Sequence, residues 1–260
     1  MDPFSQLTIV SQIVCYRSTK RLVESGMTKI ATEPVEIAAK CLTCHIRYTG
    51  ICAVMSFEEL REVGRRTIRR TFKAGTPIFF EGDNVRAKNI VKGVVHLSKG
   101  LSDGRQQIVG LQFSSALLPA RISQVTAQAA TDSELCAIPN ALLTDILGRN
   151  PKVEDAMYKQ ALDELDQARH WMLSVGRKTA LEKVASLILM FVMKAPPTSG
   201  IGYQCDLPLT RTEIADFLGL TVETVSRNIT KLRASGIIQL DNGRTVTVNS
   251  LPQLKRASGD

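Results

Sequence analysis

A chain of 260 residues is long enough for two modest domains, each with its own core. Lys and Arg number 33 against 25 Asp and Glu, and the resulting formal charge of +8 suits a polyanionic partner. No apolar run approaches the ~18 residues that a membrane span needs, and the 7–14 stretch lacks the basic flank of a secretory signal, so the expectation is a cytoplasmic protein with no membrane role.

Residues 1–40 show no clear periodicity and predict no element. The segment that follows, Cys41-Leu-Thr-Cys-His-Ile-Arg-Tyr-Thr-Gly-Ile-Cys52, packs three of the six cysteines into one short loop, with Gly50 able to supply a tight bend. In a reducing compartment such a group points to metal binding rather than to a disulfide scaffold, and thiolates are soft ligands that select zinc or iron-sulfur groups. Either needs a fourth ligand. His45 adjoins Cys44 and is badly placed to share its metal; Cys136 is the other candidate, although on its own it reads as a buried strand cysteine. Cys15 and Cys205 stand alone and read as structural.

Residues 57–70, FEELREVGRRTIRR, read as a surface helix with Leu60, Val63 and Ile68 facing inward. Short β-rich runs punctuated by Gly and Asp come next, at 76–80, 90–98, 107–113, 125–130 and 134–138, and imply an antiparallel roll or barrel. After Asn150-Pro151 a long helix is predicted to reach about residue 195, where Pro196-Pro197 stops it. Tyr158, Ala161, Leu165, Ala168, Met172, Val175 and Thr179 are spaced alternately by three and four, the pattern of a coiled-coil seam between two copies of the chain. Residues 196–202 form the hinge into the last domain.

That domain holds the most informative stretch, LTRTEIADFLGLTVETVSRNITKLRASGII at 209–238. Thr210 with Glu213 is a capping box for a short helix that buries Ile214, Ala215 and Leu218 and ends at Gly219. Thr221 caps a second helix with Val222, Val225, Ile229 and Leu232 as its buried stripe; opposite stand Glu223, Ser226, Arg227, Thr230 and Lys231. Two short helices with a polar, basic outer face form the pattern of a DNA-reading helix-turn-helix, in which Arg can bond guanine and Glu can accept from cytosine. Asn242-Gly243, between Ile237-Ile238 and Thr245-Val246-Thr247-Val248, signals a hairpin that would form a β wing. A dimer of such heads presents two recognition helices ~34 Å apart and so reads a palindrome.

The order of these elements resembles the cyclic-AMP receptor protein superfamily, carried by GTPIFFEGD at 75–83 and ETVSR at 223–227. Within it the chain is similar to the fumarate-and-nitrate-reduction (FNR) regulators, particularly the rhizobial type, over nearly all of residues 40–250. The resemblance implies an α+β fold: an arm with the cysteine cluster at 1–56, an antiparallel β-roll of the cyclic-nucleotide-binding kind (a double-stranded β-helix) at 57–149, a dimerisation helix region at 150–195 and a winged helix-turn-helix at 196–260. It implies an oxygen-responsive transcription factor, not an enzyme, with one 4Fe-4S cluster per subunit on Cys41, Cys44, Cys52 and Cys136. Thr221, Glu223, Thr224, Ser226 and Arg227 would meet double-stranded DNA at palindromes like TTGAT-N4-ATCAA, and RNA polymerase would be the partner in activation. The C-x2-C-x7-C spacing departs from the C-x2-C-x5-C of the enterobacterial members, and the 114–130 run is several residues shorter than the family's loop. Arg121-Ile122-Ser123 is a poor substitute for the acidic residue and Arg-Ser pair that hold a cyclic phosphate, so no cyclic nucleotide is expected.

A cluster joining Cys52 to Cys136 would pin the arm to the roll across 84 residues of chain, only fifteen residues before Pro151 opens the dimer helix. The mechanism expected is a monomer-dimer equilibrium set by that attachment. The alternatives are a superfamily regulator with a structural zinc site, or one answering a different small molecule. An iron-sulfur enzyme or electron carrier is disfavoured, since the sequence shows no substrate-binding motif, no Gly-rich nucleotide loop and no second cluster motif.

Overall fold

The computed structural model describes residues 38–119, 121–195 and 203–259. Cys15 and the 196–202 hinge expected from the sequence lie outside the described residues. A short helix α1 (Ala39–Leu42) and two 3-10 turns (His45–Tyr48 and Gly50–Val54) lead into α2 (Phe57–Arg66). Ser56 opens α2 with a capping box: its hydroxyl accepts the Glu59 N–H, and the Glu59 carboxylate accepts the Ser56 N–H. Leu60 and Val63 are buried as their spacing predicts, but the helix stops at Arg66, and Ile68, 53% exposed, belongs to strand β1 (Ile68–Phe72). β-branched Thr67, Ile68 and Thr71 followed by Phe72 favour extended backbone once a partner strand lies alongside.

The partner comes from far along the chain. After β2 (Pro77–Phe79), β3 (Lys88–Lys92), β4 (Val95–Gly100), β5 (Gln106–Gln112), β6 (Leu117–Leu118), β7 (Thr126–Ala129) and β8 (Ser133–Ala137), the strands form two antiparallel four-stranded sheets of order β1-β8-β3-β6 and β2-β7-β4-β5. Their inner faces share a core of Phe79, Val85, Ile90, Val95, Leu118, Ala127 and Leu135. The roll expected from the sequence is therefore present, with two corrections. The 90–98 run is two strands, broken at Gly93, and the short strands β1 and β6 complete the first sheet.

Helices α3 (Asn140–Arg149), α4 (Pro151–Arg177) and α5 (Ala180–Lys194) follow. Asn150 caps α4, accepting from the Lys152 N–H, and Pro151 sits in the first turn where its missing N–H costs nothing. The long helix expected to run to residue 195 is interrupted: Lys178 is extended, and Thr179 caps α5 in a capping box with Glu182, which removes it from the heptad series.

The last domain comprises β9 (Tyr203–Asp206), α6 (Arg211–Leu218), α7 (Val222–Ala234), β10 (Ile238–Asp241), β11 (Thr245–Val248) and α8 (Leu251–Ser258), with strand order β10-β11-β9. Its core joins Ile214, Leu218, Val225, Ile229 and Leu232 to Val184, Ile188 and Phe191 of α5. The wing turn is centred on Asn242 and Gly243, both at positive φ. α6 also docks on the roll: Gln106 donates to the Asp216 carboxylate (3.0 Å), Gln107 donates to the Phe217 carbonyl (3.0 Å), and buried His96 lies 3.5 Å from Glu213. No helix among the described residues is long and apolar enough to cross a membrane.

Gly93 holds φ +95°, and a Cβ there would lie 2.3 Å from the Ser133 hydroxyl and 2.8 Å from the Asp132 carbonyl. Gly93→Ala combines left-handed strain with a backbone clash, so urea unfolding should show a loss of more than ~2 kcal/mol.

Candidate thiolate centre and DNA-reading surface

The sheet register decides where Cys136 points. It pairs directly with Arg69 of β1 and with Asn89 of β3. Side chains alternate along a strand, and neighbouring Leu135 and Ile90 fill the roll interior, so the row Arg69, Cys136, Asn89 faces outward. The arm lies on that face. Cys44 and Ile46 pack with Val91 and Cys136, while Cys41 and Cys52 pack at the edge of the core formed by Ile51, Leu60, Val63, Leu117 and Leu142.

Two charged hydrogen bonds seat the arm. The Lys40 ammonium donates to the Thr67 carbonyl and the Arg69 guanidinium donates to the Lys40 carbonyl, each at 2.5 Å; Arg69 also pairs with Glu134 at 3.0 Å. Gly64 leaves room for the thiol, because a Cβ there would come within 3.3 Å of the Cys41 sulfur.

The four sulfurs influence one another. Burial pushes the Cys52 thiol up to about 12, and the neighbouring Cys136, Cys44 and Cys41 reinforce the shift against one opposing contact, a long hydrogen bond from Asn89 (3.6 Å). Cys41 is raised by burial and then by Cys136 and Cys44, with Lys40 and Arg69 opposing. Cys136 is raised by burial, against Thr67, Arg69 and Lys40. Burial first, and the neighbouring sulfurs second, thus hold Cys41, Cys52 and Cys136 in the thiol form, and a bound cation would favour their thiolates.

The all-sulfur donor set fits an iron-sulfur group. Two buried polar atoms border the set without a well-formed hydrogen bond, Thr67 Oγ1 and Asn89 Oδ1; the Thr67 hydroxyl is close enough to favour the Cys136 thiolate but is not aligned with it. Among the described residues, no three His, Cys, Asp or Glu side chains converge tightly enough for a single metal ion. His45 is exposed, with its Nε2 3.2 Å from the Ser114 hydroxyl. Cys205 is buried on β9 in the core of the last domain, a structural role. Arg69, Lys40 and Asn89 carry no local sequence signal, since only the pairing of β1, β8 and β3 brings them to the thiols.

On the other functional surface, Glu223, Ser226 and Arg227 stand exposed along α7 with Thr230 and Lys231. Thr221 is exposed and its hydroxyl accepts the Thr224 N–H, while Thr224 is half-buried and shares a hydroxyl contact of 3.1 Å with Thr221. The buried stripe differs in two places: Val222, at its start, is 37% exposed, and Asn228, in its middle, is also buried, donating to the Thr224 carbonyl. Arg211 donates to the Gly243 carbonyl and so ties the start of α6 to the wing turn.

Along α4, Tyr158, Ala161, Leu165, Ala168 and Met172 are exposed, and Leu162 and Leu173 widen the apolar strip. Val175 is half-buried beside Gly219, and Trp171 stacks edge-on against Phe217 at 4.7 Å, so the last turns of α4 also serve the DNA-reading domain.

Residues 69–150 match the cyclic nucleotide-binding domain family, and residues 182–257 match the Crp-like helix-turn-helix domain family. A probable transcriptional activator of Rhizobium leguminosarum bv. viciae is 44% identical over 220 residues, which cover 83% of this chain and 92% of that protein. The transcriptional activator protein FnrL of Cereibacter sphaeroides is 36% identical over 233 residues, covering 86% of this chain and 94% of its own. The solved structure of FixK2 from Bradyrhizobium japonicum superposes with a TM-score of 0.68 at 27% identity, covering 74% of this chain and 96% of that one.

Two outcomes are expected. Because the thiolate is the nucleophile, Cys52 in the metal-free folded chain should react with iodoacetamide at pH 8 at least ~10-fold more slowly than in urea, read by mass spectrometry. Arg227→Ala should weaken binding by ~1 to 3 kcal/mol and relax preference at one base position in gel-shift competition; uniform weakening across sequences would mean a phosphate contact instead.

Proposed function

Because the chain belongs to the CRP/FNR family of transcription regulators, and within it to the FnrN/FnrL type, we propose that it is an oxygen-responsive, homodimeric activator of transcription that works on DNA in the cytoplasm. The observation that carries this reading is the meeting of Cys41, Cys44, Cys52 and Cys136 on one outer face of the roll, with no other donor type among them. Bound there, one 4Fe-4S cluster per subunit would supply an oxygen-labile joint between arm and roll.

The protein's own residues do the rest. Arg69 and Lys40 place positive charge beside the sulfurs and favour their ionised form, which offsets part of the burial that opposes it. Ile46 and Cys44 cover Val91 and Cys136, so an arm that lifts away exposes apolar surface and loses its own seat. The exposed strip of α4 from Tyr158 to Met172 supplies the surface for a second copy. A coupling of ~1 to 3 kcal/mol between arm attachment and dimerisation is enough for a useful switch.

In the dimer, the exposed Glu223, Ser226 and Arg227 of each α7 read one half of a TTGAT-N4-ATCAA-like palindrome, and the bound dimer contacts RNA polymerase. The roll takes no cyclic nucleotide. Ser123 is buried, and its hydroxyl is engaged with the Val125 carbonyl at 2.6 Å rather than turned out toward a phosphate.

The test is the visible spectrum of protein purified without air, with iron and sulfide assays and a gel shift on the palindrome. A brown chain with about four irons that bleaches in air and then loses DNA affinity is expected, and Cys136→Ser should be colourless and bind weakly in either atmosphere. A colourless wild-type chain that binds the palindrome equally with and without air would sink the proposal; zinc in it would favour a structural site.

A further inference from the structure

The 113–116 turn holds a backbone conformation its sequence does not favour. The Ala116 N–H reaches the Phe113 carbonyl at 3.0 Å, and Ser115, third in the turn, sits at φ +78°, where glycine or asparagine is usual. A non-glycine residue stays there only when its surroundings over-determine it.

Two sets of contacts do so. On the roll side, the Ser115 N–H donates to the Ile90 carbonyl and the Ile90 N–H donates to the Ala116 carbonyl, both at 2.9 Å. On the arm side, the Thr49 and Ser115 hydroxyls meet at 2.5 Å, and His45 meets the Ser114 hydroxyl, which donates to the Val91 carbonyl. Gly50 presses on the turn, since a Cβ there would lie 2.6 Å from the Ser115 carbonyl.

One residue beyond the turn, Leu117 is gripped by the dimer helix. Gln160 of α4 accepts the Leu117 N–H and donates to the Leu117 carbonyl, both at 3.0 Å, and it also donates to Glu164 at 2.5 Å. The arm, the strained turn and α4 thus form one chain of contacts from residues 45–50 to Glu164.

We infer that the 114–115 turn is the coupling element that converts arm attachment into the packing of α4: with the arm seated, Ser115 is held at positive φ and Leu117 is fixed in the grip of Gln160. When residues 45–50 withdraw, Ser115 relaxes to negative φ, Leu117 shifts, and the 156–165 stretch of α4 loosens. The inference rests on the proposed reading only in taking the seating of the arm as the regulated event.

Hydrogen exchange on the full-length, metal-free chain tests the coupling without any cofactor. Thr49→Val, which cuts the strap, should raise amide exchange across residues 156–165 at least ~5-fold, with α7 unchanged as the internal control; adding Ser115→Gly, which removes the cost of positive φ, should bring that exchange back toward the wild-type rate. Gln160→Leu should raise exchange at residues 156–165 while leaving that of the 45–50 arm at wild-type rates. Exchange at 156–165 within twofold of wild type in both Thr49→Val and Gln160→Leu would overturn the inference, and so would a Thr49→Val rate that Ser115→Gly leaves unchanged. In iron-loaded protein, Gln160→Leu should keep the wild-type absorbance and bleaching rate yet lose most of the air-dependent change in sedimentation; a full wild-type change would overturn it too. A colourless wild-type chain would count against the cofactor while leaving the exchange result to decide the coupling.

Discussion

The antiparallel register of β1, β8 and β3 is the constraint on which the rest depends. A slip of one residue would turn Cys136 into the roll and put Leu135 on the surface, because side chains alternate with period two. The register is protected from both sides. Leu135 and Ile90 are fully committed to the interior core, and Arg69 and Asn89, the direct partners of Cys136, are engaged with the arm. Packing inside the sheet thereby aims the Cys136 thiol outside it.

Helix α4 divides its circumference among three tasks. Its first turn is anchored by Asn150, whose amide donates to the Val54 carbonyl and the Glu59 carboxylate. Its middle offers Gln160 to the roll and leaves an apolar strip exposed. Its last turns stack Trp171 on Phe217 and set Val175 beside Gly219. The break at Lys178–Thr179 ends this arrangement and lets α5 join the core of the DNA-reading domain as a separate body of packing.

Most of the DNA-reading domain was legible in the sequence because its signals are local. The Thr210–Glu213 box, the Thr221 cap, Gly219 and Asn242-Gly243 each act within four residues, and each is found as read. The cysteine spacing was legible for the same reason. What was not legible is non-local. β1 reads as the tail of a helix until β8 pairs with it, Arg69 and Asn89 have no reason to neighbour a thiol until the register forms, and Gln160 looks like any helix-surface glutamine until Leu117 reaches it. The interruption at Thr179 was hidden by a heptad pattern that runs through it, although Thr179 and Glu182 spell a second capping box. Val222 joined the apolar stripe on spacing alone, but as the first residue of α7 it lies at the edge of the core that Val225 enters, and Asn228 is buried by donating back to its own helix.

The chain contains a single tryptophan, and it stands at the joint between α4 and the DNA-reading domain. An indole packed against Phe217 at 4.7 Å emits according to how dry that joint is, so any swing of α6 away from α4 changes the light the protein gives off. The molecule therefore carries an intrinsic optical indicator of the orientation of its head, readable without a label.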